Sequence, residues 1–350
     1  MKTQKLKTKL VAKLVALLII MGSFAGIFIG CSESEASSTS GRITVYTALE
    51  NTQIEQYLAV FNARYPDIRV DVIRESTGII TSRLIAERNN PQADVIWGTA
   101  ASSMMVLDGM DMLEPFAPEG LERILPMFRS QADVPTWVGI TAFETAFVVN
   151  TVELERLGLS ISDIQCYEDL LRPELEGHIV MPDPNSSGTG FLTVTAILQL
   201  FGEQAGWEFL DELDQNIVRY IASGSGPAAE AARGETVIGV SFGYAGIRQL
   251  NLGAPLEIVW PARGSGWDME ANALIARDEI HPAAKTFLNW AISDEAMALY
   301  NENFPIISTG QGRVVEGFGD NPVDQLIEND FYWVAENRDA ILAEWARRFN

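Results

Sequence analysis

The sequence predicts an α/β protein whose mainly parallel sheets are flanked by helices. Short alternating strands take turns with segments whose apolar residues recur at helical spacing. The same alternation starts again in a second unit near Phe147. After an N-terminal leader about 310 residues remain, enough for two lobes with a core each.

The elements follow in order. Residues 43–48 (ITVYTA) read as a strand, and Ile54, Tyr57, Leu58 and Phe61 then recur as one helical face up to Tyr65-Pro66, which stops the helix. Residues 68–73 (IRVDVI) alternate as a strand, 80–87 (ITSRLIAE) form a helix, and 93–97 (ADVIW) a third strand. In such sheets the ligand crevice lies beyond the strand carboxyl ends. That places Thr47-Ala48-Leu49, Ser76-Thr77-Gly78 and Gly98-Thr99-Ala100 around it. The second unit runs from the strand at 147–150 through a helix at 152–157 to the strand 178–182 (HIVMP). The turn MPDPNSSGTGF at 181–191 follows, and Phe191, Val194, Thr195, Leu198 and Phe201 give the next helix an apolar face. SGSGPAAEAARGE at 223–235 repeats the pattern, with Pro227 suited to a helix start and Gly234 to its end. Further strands lie within 236–246 and 256–276, and helices take over from Pro282.

The leader fixes the compartment. Residues 1–30 carry Lys2, Lys5, Lys7, Lys9 and Lys13 and no acid, followed by a charge-free apolar stretch from Leu14 to Ile29. This is the layout of an export signal, and it is short for a membrane span of roughly 20 residues. Phe28-Ile29-Gly30-Cys31 resembles a bacterial lipobox with Phe28 in place of the usual Leu, so Cys31 is the expected lipidation site and residues 31–40 a tether. The expectation is an exported protein, periplasmic or on the cell surface, touching the membrane through its lipid alone.

Charge narrows the partners. The formal charge is −22, and removing five lysines takes it to −22 − 5 = −27. A nucleic-acid partner needs a basic patch, so none is expected. Lys285 is the sole lysine beyond the leader, which leaves Arg, hydroxyls and backbone N–H groups to build any anion site. Cys166 then stands alone, with no disulfide possible in the mature chain.

The hydroxyl-rich turns now make chemical sense. A helix N-terminus presents unpaired N–H groups and positive dipole, and glycine lets an anion approach the backbone. Ser76, Thr77 and Gly78 form one such mouth, and Ser186, Ser187, Gly188 and Thr189 a second. Two mouths facing each other would clamp a compact oxyanion. Ser, Thr, Asn and Gly are also ordinary cap and turn residues, so either stretch alone carries little. Arg83, one turn beyond the first mouth, could face the anion or pair with Glu87.

Several stretches in order carry a resemblance: STGIITSRLIAERNNPQADVIWG, VGITAFETAFVVN, LLRPELEGHIVMPDPNSSGTGF, SGSGPAAEAARGETVIGVSFG and NENFPIISTG. Over residues 41–312 the chain resembles the periplasmic solute-binding proteins of ABC importers, in the branch for iron(III) and 2-aminoethylphosphonate. The resemblance implies a type II-like fold of two lobes, 41–144 plus 264–350 and 145–263, with the ligand between them. It also implies delivery to a permease, no catalysis and no cofactor; a monomer is expected. Iron binders of the branch offer adjacent tyrosines, whereas Ser241-Phe242-Gly243-Tyr244 has one, which points away from a metal and toward 2-aminoethylphosphonate. The phosphonate would lie between the two mouths. The ammonium would meet Asp268 and Glu270, two apart on a strand, with Trp97, Trp267 and Tyr244 as aromatic walls. Other small anions, ferric ion and polyamines stay open as ligands. So does a serine hydrolase, because Gly239-Val240-Ser241-Phe242-Gly243 matches the nucleophile elbow and Asp268 and His281 follow in hydrolase order.

Overall fold

The computed structural model describes residues 39–319 and 321–349. The leader, Cys31 and the tether up to residue 38 lie outside the described residues. The first part of the chain runs β1 (Gly41–Thr47), α1 (Asn51–Arg64), β2 (Ile68–Arg74), α2 (Thr77–Ala86), β3 (Val95–Ala100), α3 (Ala101–Asp108) and β4 (Leu113–Glu114). Helix α1 buries Ile54, Tyr57 and Phe61 on one stripe, and Glu50 and Gln53 close its start as a capping box. Helix α2 begins at Thr77, three residues earlier than its apolar run predicts. Ser76 takes the N-cap position, and Thr81 Oγ1 donates back to Thr77 O at 2.7 Å, so residues that read as a loop form the first turn.

The long β5 (Val138–Asn150) is buried throughout, and Asn150 caps α4 (Thr151–Arg156) by accepting from Val152 and Glu153 N–H. There follow β6 (Ile179–Pro182), α5 (Gly188–Phe201), α6 (Glu203–Asp214), β7 (Ile217–Ile221), α7 (Gly226–Ala232), β8 (Ile238–Phe242), α8 (Gly243–Asn251) and β9 (Leu256–Val259). The chain returns through β10 (Trp267–Ile275), α9 (Pro282–Ala291), α10 (Asp294–Tyr300), β11 (Ile306–Ile307) and β12 (Gly310–Gln311), and ends in α11 (Phe331–Glu336) and α12 (Arg338–Phe349).

The strand order is β2-β1-β3-β10-β5-β8-β6-β7. At both flanks the strands are parallel: β1 with β2 and β3, β6 with β7 and β8. In the middle β10 and β5 run antiparallel to their neighbours, because the chain crosses once outward and once back. Strand β5 pairs with β10 as far as Glu144 and with β8 from Thr145.

One core gathers Tyr57, Phe61, Trp97, Phe287 and Trp290; the other gathers Phe147, Tyr167, Ile197 and Trp207. Burying side chains such as Phe61 or Phe287 contributes about 1.5–3 kcal/mol each. Ile341 and Trp345 of α12 join the second core, so the C-terminus packs on residues far from it in sequence.

Candidate functional site

The carboxyl ends of β1, β2, β3 and β6 converge on a compact cavity of ≈ 50 Å³ lined by Ser76, Thr77, Ser187, Gly188, Thr189 and Glu270, with Glu50, Arg74, Phe143, Gly224 and Phe242 among the other walls. Helices α2 and α5 both start here, so two helix starts with their positive dipole ends meet at one place. The Ser187 hydroxyl caps α5 by accepting from Gly190 N–H at 3.3 Å, whereas the Ser76 side chain makes no capping bond.

Glycines let the two mouths touch. Gly78 N–H donates to Ser186 O at 2.9 Å, a bond directly from one mouth to the other. A Cβ on Gly78 would lie 2.3 Å from Asn185 O, one on Gly188 2.8 Å from Thr77 Oγ1, and one on Gly224 2.4 Å from Thr189 Oγ1.

Charge is arranged sparingly. Arg74 Nη2 donates to Glu50 Oε1 at 2.9 Å and its Nε to Leu49 O at 3.1 Å, which fixes the guanidinium at the cavity wall. Glu270 Oε2 accepts from Thr141 Oγ1 at 2.7 Å, and burial pushes this carboxyl up to about 8. At neutral pH it is therefore a neutral acid, able to donate as well as accept.

Six of the expected residues line the cavity together: Ser76, Thr77, Ser187, Gly188, Thr189 and Glu270. The others have different places. Thr47 is buried and its hydroxyl accepts from Leu49 N–H at 3.1 Å. Gly78 and Ser186 form the bond between the mouths. Trp97 is a core residue, donating from Nε1 to Tyr300 Oη at 3.1 Å and packed edge-on against Phe287, so it walls no ligand. Trp267 likewise turns away, toward Ile327 O and the ring of Phe331. Asp268 is a cap: it accepts from the Ser102 hydroxyl and from Met269 N–H, which places it at the first turn of α3. Arg83 pairs with Glu87 at 2.8 Å and lies over the Tyr46 ring. Tyr244 packs on Phe242 and Phe304 beside the cavity, its hydroxyl 3.4 Å from Thr52 Oγ1.

Arg74 and Glu50 escaped the sequence reading, although both sit at strand carboxyl ends. In so acidic a chain nothing local marks an Arg and a Glu 24 residues apart as partners. The rule that pointed to Ser76 would have found Arg74 two residues earlier.

The elbow at Ser241 does not gather a triad. A helix, α8, does follow it directly, but the Ser241 hydroxyl donates to Gly224 O at 2.7 Å. Asp268 is engaged with Ser102, and His281 Nδ1 accepts from Ala283 N–H at 3.1 Å as the cap of α9. Among the described residues no group of three or more His, Cys, Asp or Glu is placed to hold a metal ion, and no helix is long and apolar enough to cross a membrane.

A family model described as bacterial extracellular solute-binding protein matches residues 90–317. An uncharacterized protein of Haemophilus influenzae is 31% identical over 337 residues, which cover 93% of this chain and 95% of that one. A probable ABC transporter periplasmic-binding protein of Sinorhizobium fredii is 25% identical over 242 residues, 67% of this chain and 65% of that protein. Among solved structures, the periplasmic binding protein AfuA of Actinobacillus pleuropneumoniae with fructose-6-phosphate bound aligns at a TM-score of 0.81 and 29% identity, over 88% of this chain and 98% of that one.

Proposed function

The chain belongs to the bacterial extracellular solute-binding protein family, with the mixed α/β, two-lobe fold of periplasmic binding proteins, and from that premise we propose that it captures a small phosphate- or phosphonate-bearing solute for an ABC importer. The single observation that carries the ligand class is the meeting of α2 and α5 N-termini at one cavity with Arg74 in its wall. Such a mouth favours an oxyanion through backbone N–H groups and hydroxyls, with Arg74 adding a charge-assisted donor. The lobes are 41–144 plus 264–350 and 145–263, with α12 reaching back onto the second core. Ligand touching both mouths binds the closed arrangement better than the open one and shifts the population toward it, the state a permease would read. The protein works as an exported monomer, anchored through Cys31, and performs no chemistry.

The far end of the ligand meets Glu270 and Glu50. Glu50 is already paired with Arg74, and Glu270 is neutral at pH 7, so no unpaired carboxylate awaits a cation. Hydroxyls suit these groups better than an ammonium, and the likeness to AfuA with fructose-6-phosphate bound supports a sugar phosphate. The second reading is 2-aminoethylphosphonate, favoured by the presence of two carboxyl groups in so small a cavity. The two differ in proton bookkeeping: an ammonium would ionise Glu270 and release a proton on binding near neutral pH, and a hydroxyl tail would leave it protonated. Titration calorimetry of fructose-6-phosphate and 2-aminoethylphosphonate in two buffers of different ionisation enthalpy separates them. Binding of neither, with binding of ferric citrate or spermidine, would overturn the ligand class.

A further inference from the structure

Strand β5 changes partners between Glu144, opposite Trp267 of β10, and Thr145, opposite Phe242 of β8. At that point it carries a carboxyl group only 3% exposed, with no hydrogen-bond partner on either oxygen among the described residues. A Cβ on Gly243 would lie 2.7 Å from Glu144 Oε1, 2.4 Å from the Trp260 ring and 2.9 Å from the Phe318 ring. The two rings stack at 5.4 Å and 23°, roofing the carboxyl. An unpartnered acid in such a place weakens the packing, since buried polar groups are almost always paired. An apolar residue of the same size would stabilise the crossing better, so stability does not account for it.

We propose that Glu144 is a proton-operated latch at the crossing between the lobes, neutral while the lobes are closed and ionised when they part. The inference rests on the reading of the chain as a cleft-closing binding protein. The roof is built from both sides of the crossing. Trp260 follows β9, which pairs with the second half of β5, and Phe318 follows β12, which is tied through β11 to Thr141 in the first half. Rotation of one lobe against the other parts that stack and admits water to the acid.

The elements packed here carry other titratable groups: Asp268 and Glu270 on β10, Tyr244 and Arg248 on α8, Glu257 on β9, and Arg313 and Glu316 beyond β12. None of them accounts for the state of Glu144, because burial alone pushes it up to about 8. Once hydrated, the acid returns to the ordinary glutamate value of about 4.3. Between roughly pH 4.3 and 8 closing takes up a proton, so the closed form loses up to about tenfold in relative population per unit rise in pH. Above that window the dependence ends.

The test needs no ligand, so it stands or falls separately from the ligand class. Solution scattering of the ligand-free protein across about pH 5 to 9 should show the radius of gyration growing with pH in the wild type and in Glu270→Gln, and growing markedly less in Glu144→Gln. Infrared spectra at pH 6 should show protonated-acid carbonyl absorption from both Glu144 and Glu270, of which Glu144→Gln removes one component and leaves the one that Glu270→Gln removes. Glu144→Met, equally neutral and without new donors, should behave as the Gln variant does. The same expansion in wild type and both Glu144 variants, a flat wild-type curve, or acid absorption untouched by Glu144→Gln would each overturn the proposal.

Discussion

Gly78→Ala tests the contact on which closure depends. The added methyl carbon would lie 2.3 Å from Asn185 O and 2.8 Å from the Ser186 carbonyl carbon, all backbone atoms that cannot swing aside. Ordinary carbon contacts begin near 3.5 Å, so the mouths must part by about 1 Å. That breaks the bond from Gly78 N–H to Ser186 O, worth about 0.5–1.5 kcal/mol net, and adds about 1–3 kcal/mol of overpacking if closure is forced. Together, about 1.5–4.5 kcal/mol corresponds to affinity weaker by ~10- to 1,600-fold. The clash exists only when the mouths meet, and alanine is the better helix former by up to ~1 kcal/mol, so the ligand-free protein should unfold at the same temperature or slightly higher. The assay is titration calorimetry with the solute that binds wild type, paired with thermal unfolding of the free protein. Unchanged affinity would refute the closed contact. Lost affinity accompanied by a lower melting temperature would mean that Gly78 serves the fold and not the closure.

Three further outcomes are expected. Ser187→Asp places a carboxylate at the start of α5, where it repels the ligand's anion at a cost of several kcal/mol, so binding should fall at least ~100-fold with melting unchanged. Arg74→Met removes a charge-assisted donor worth about 1.5–3 kcal/mol and should weaken binding ~10- to 150-fold, whereas Arg83→Met, which breaks only a surface pair, should leave calorimetric affinity as it is. Because Glu270 is raised to about 8 by burial, its contribution to stability is whole below about pH 4.5 and lost as pH rises through 8; denaturation midpoints of Glu270→Gln should therefore decline less between pH 5 and 8 than those of wild type. Parallel declines would show that Glu270 is already ionised in the fold.

Much of the frame could be read from sequence because β1 and β2 are short and patterned, β6 is a short apolar run, and hydroxyl residues lie at or within a few residues of the end of each. The same strand-end rule placed Ser76, Thr77, Ser187, Gly188 and Thr189 at one cavity. The aminophosphonate reading put Trp97 and Asp268 beside the ligand's amine; Trp97 turns into the core instead, as a tryptophan at a strand end can. Asp268 meets Ser102 across 166 residues of chain, a partnership no local pattern encodes. Arg74 and Glu50 were hidden for the opposite reason: charges look alike in an acidic sequence until the fold shows which of them are half-buried against each other. The antiparallel middle of the sheet was likewise a consequence of the chain crossing twice, and alternation of strands and helices says nothing about that.

The most direct test of the central claim is calorimetric titration of wild type and Ser187→Asp with fructose-6-phosphate, 2-aminoethylphosphonate and inorganic phosphate. Wild type should show saturable one-to-one binding of an organic phosphate or phosphonate, lost in Ser187→Asp. Equal binding by both proteins, or none of these compounds binding wild type, would contradict an oxyanion held between the two helix starts.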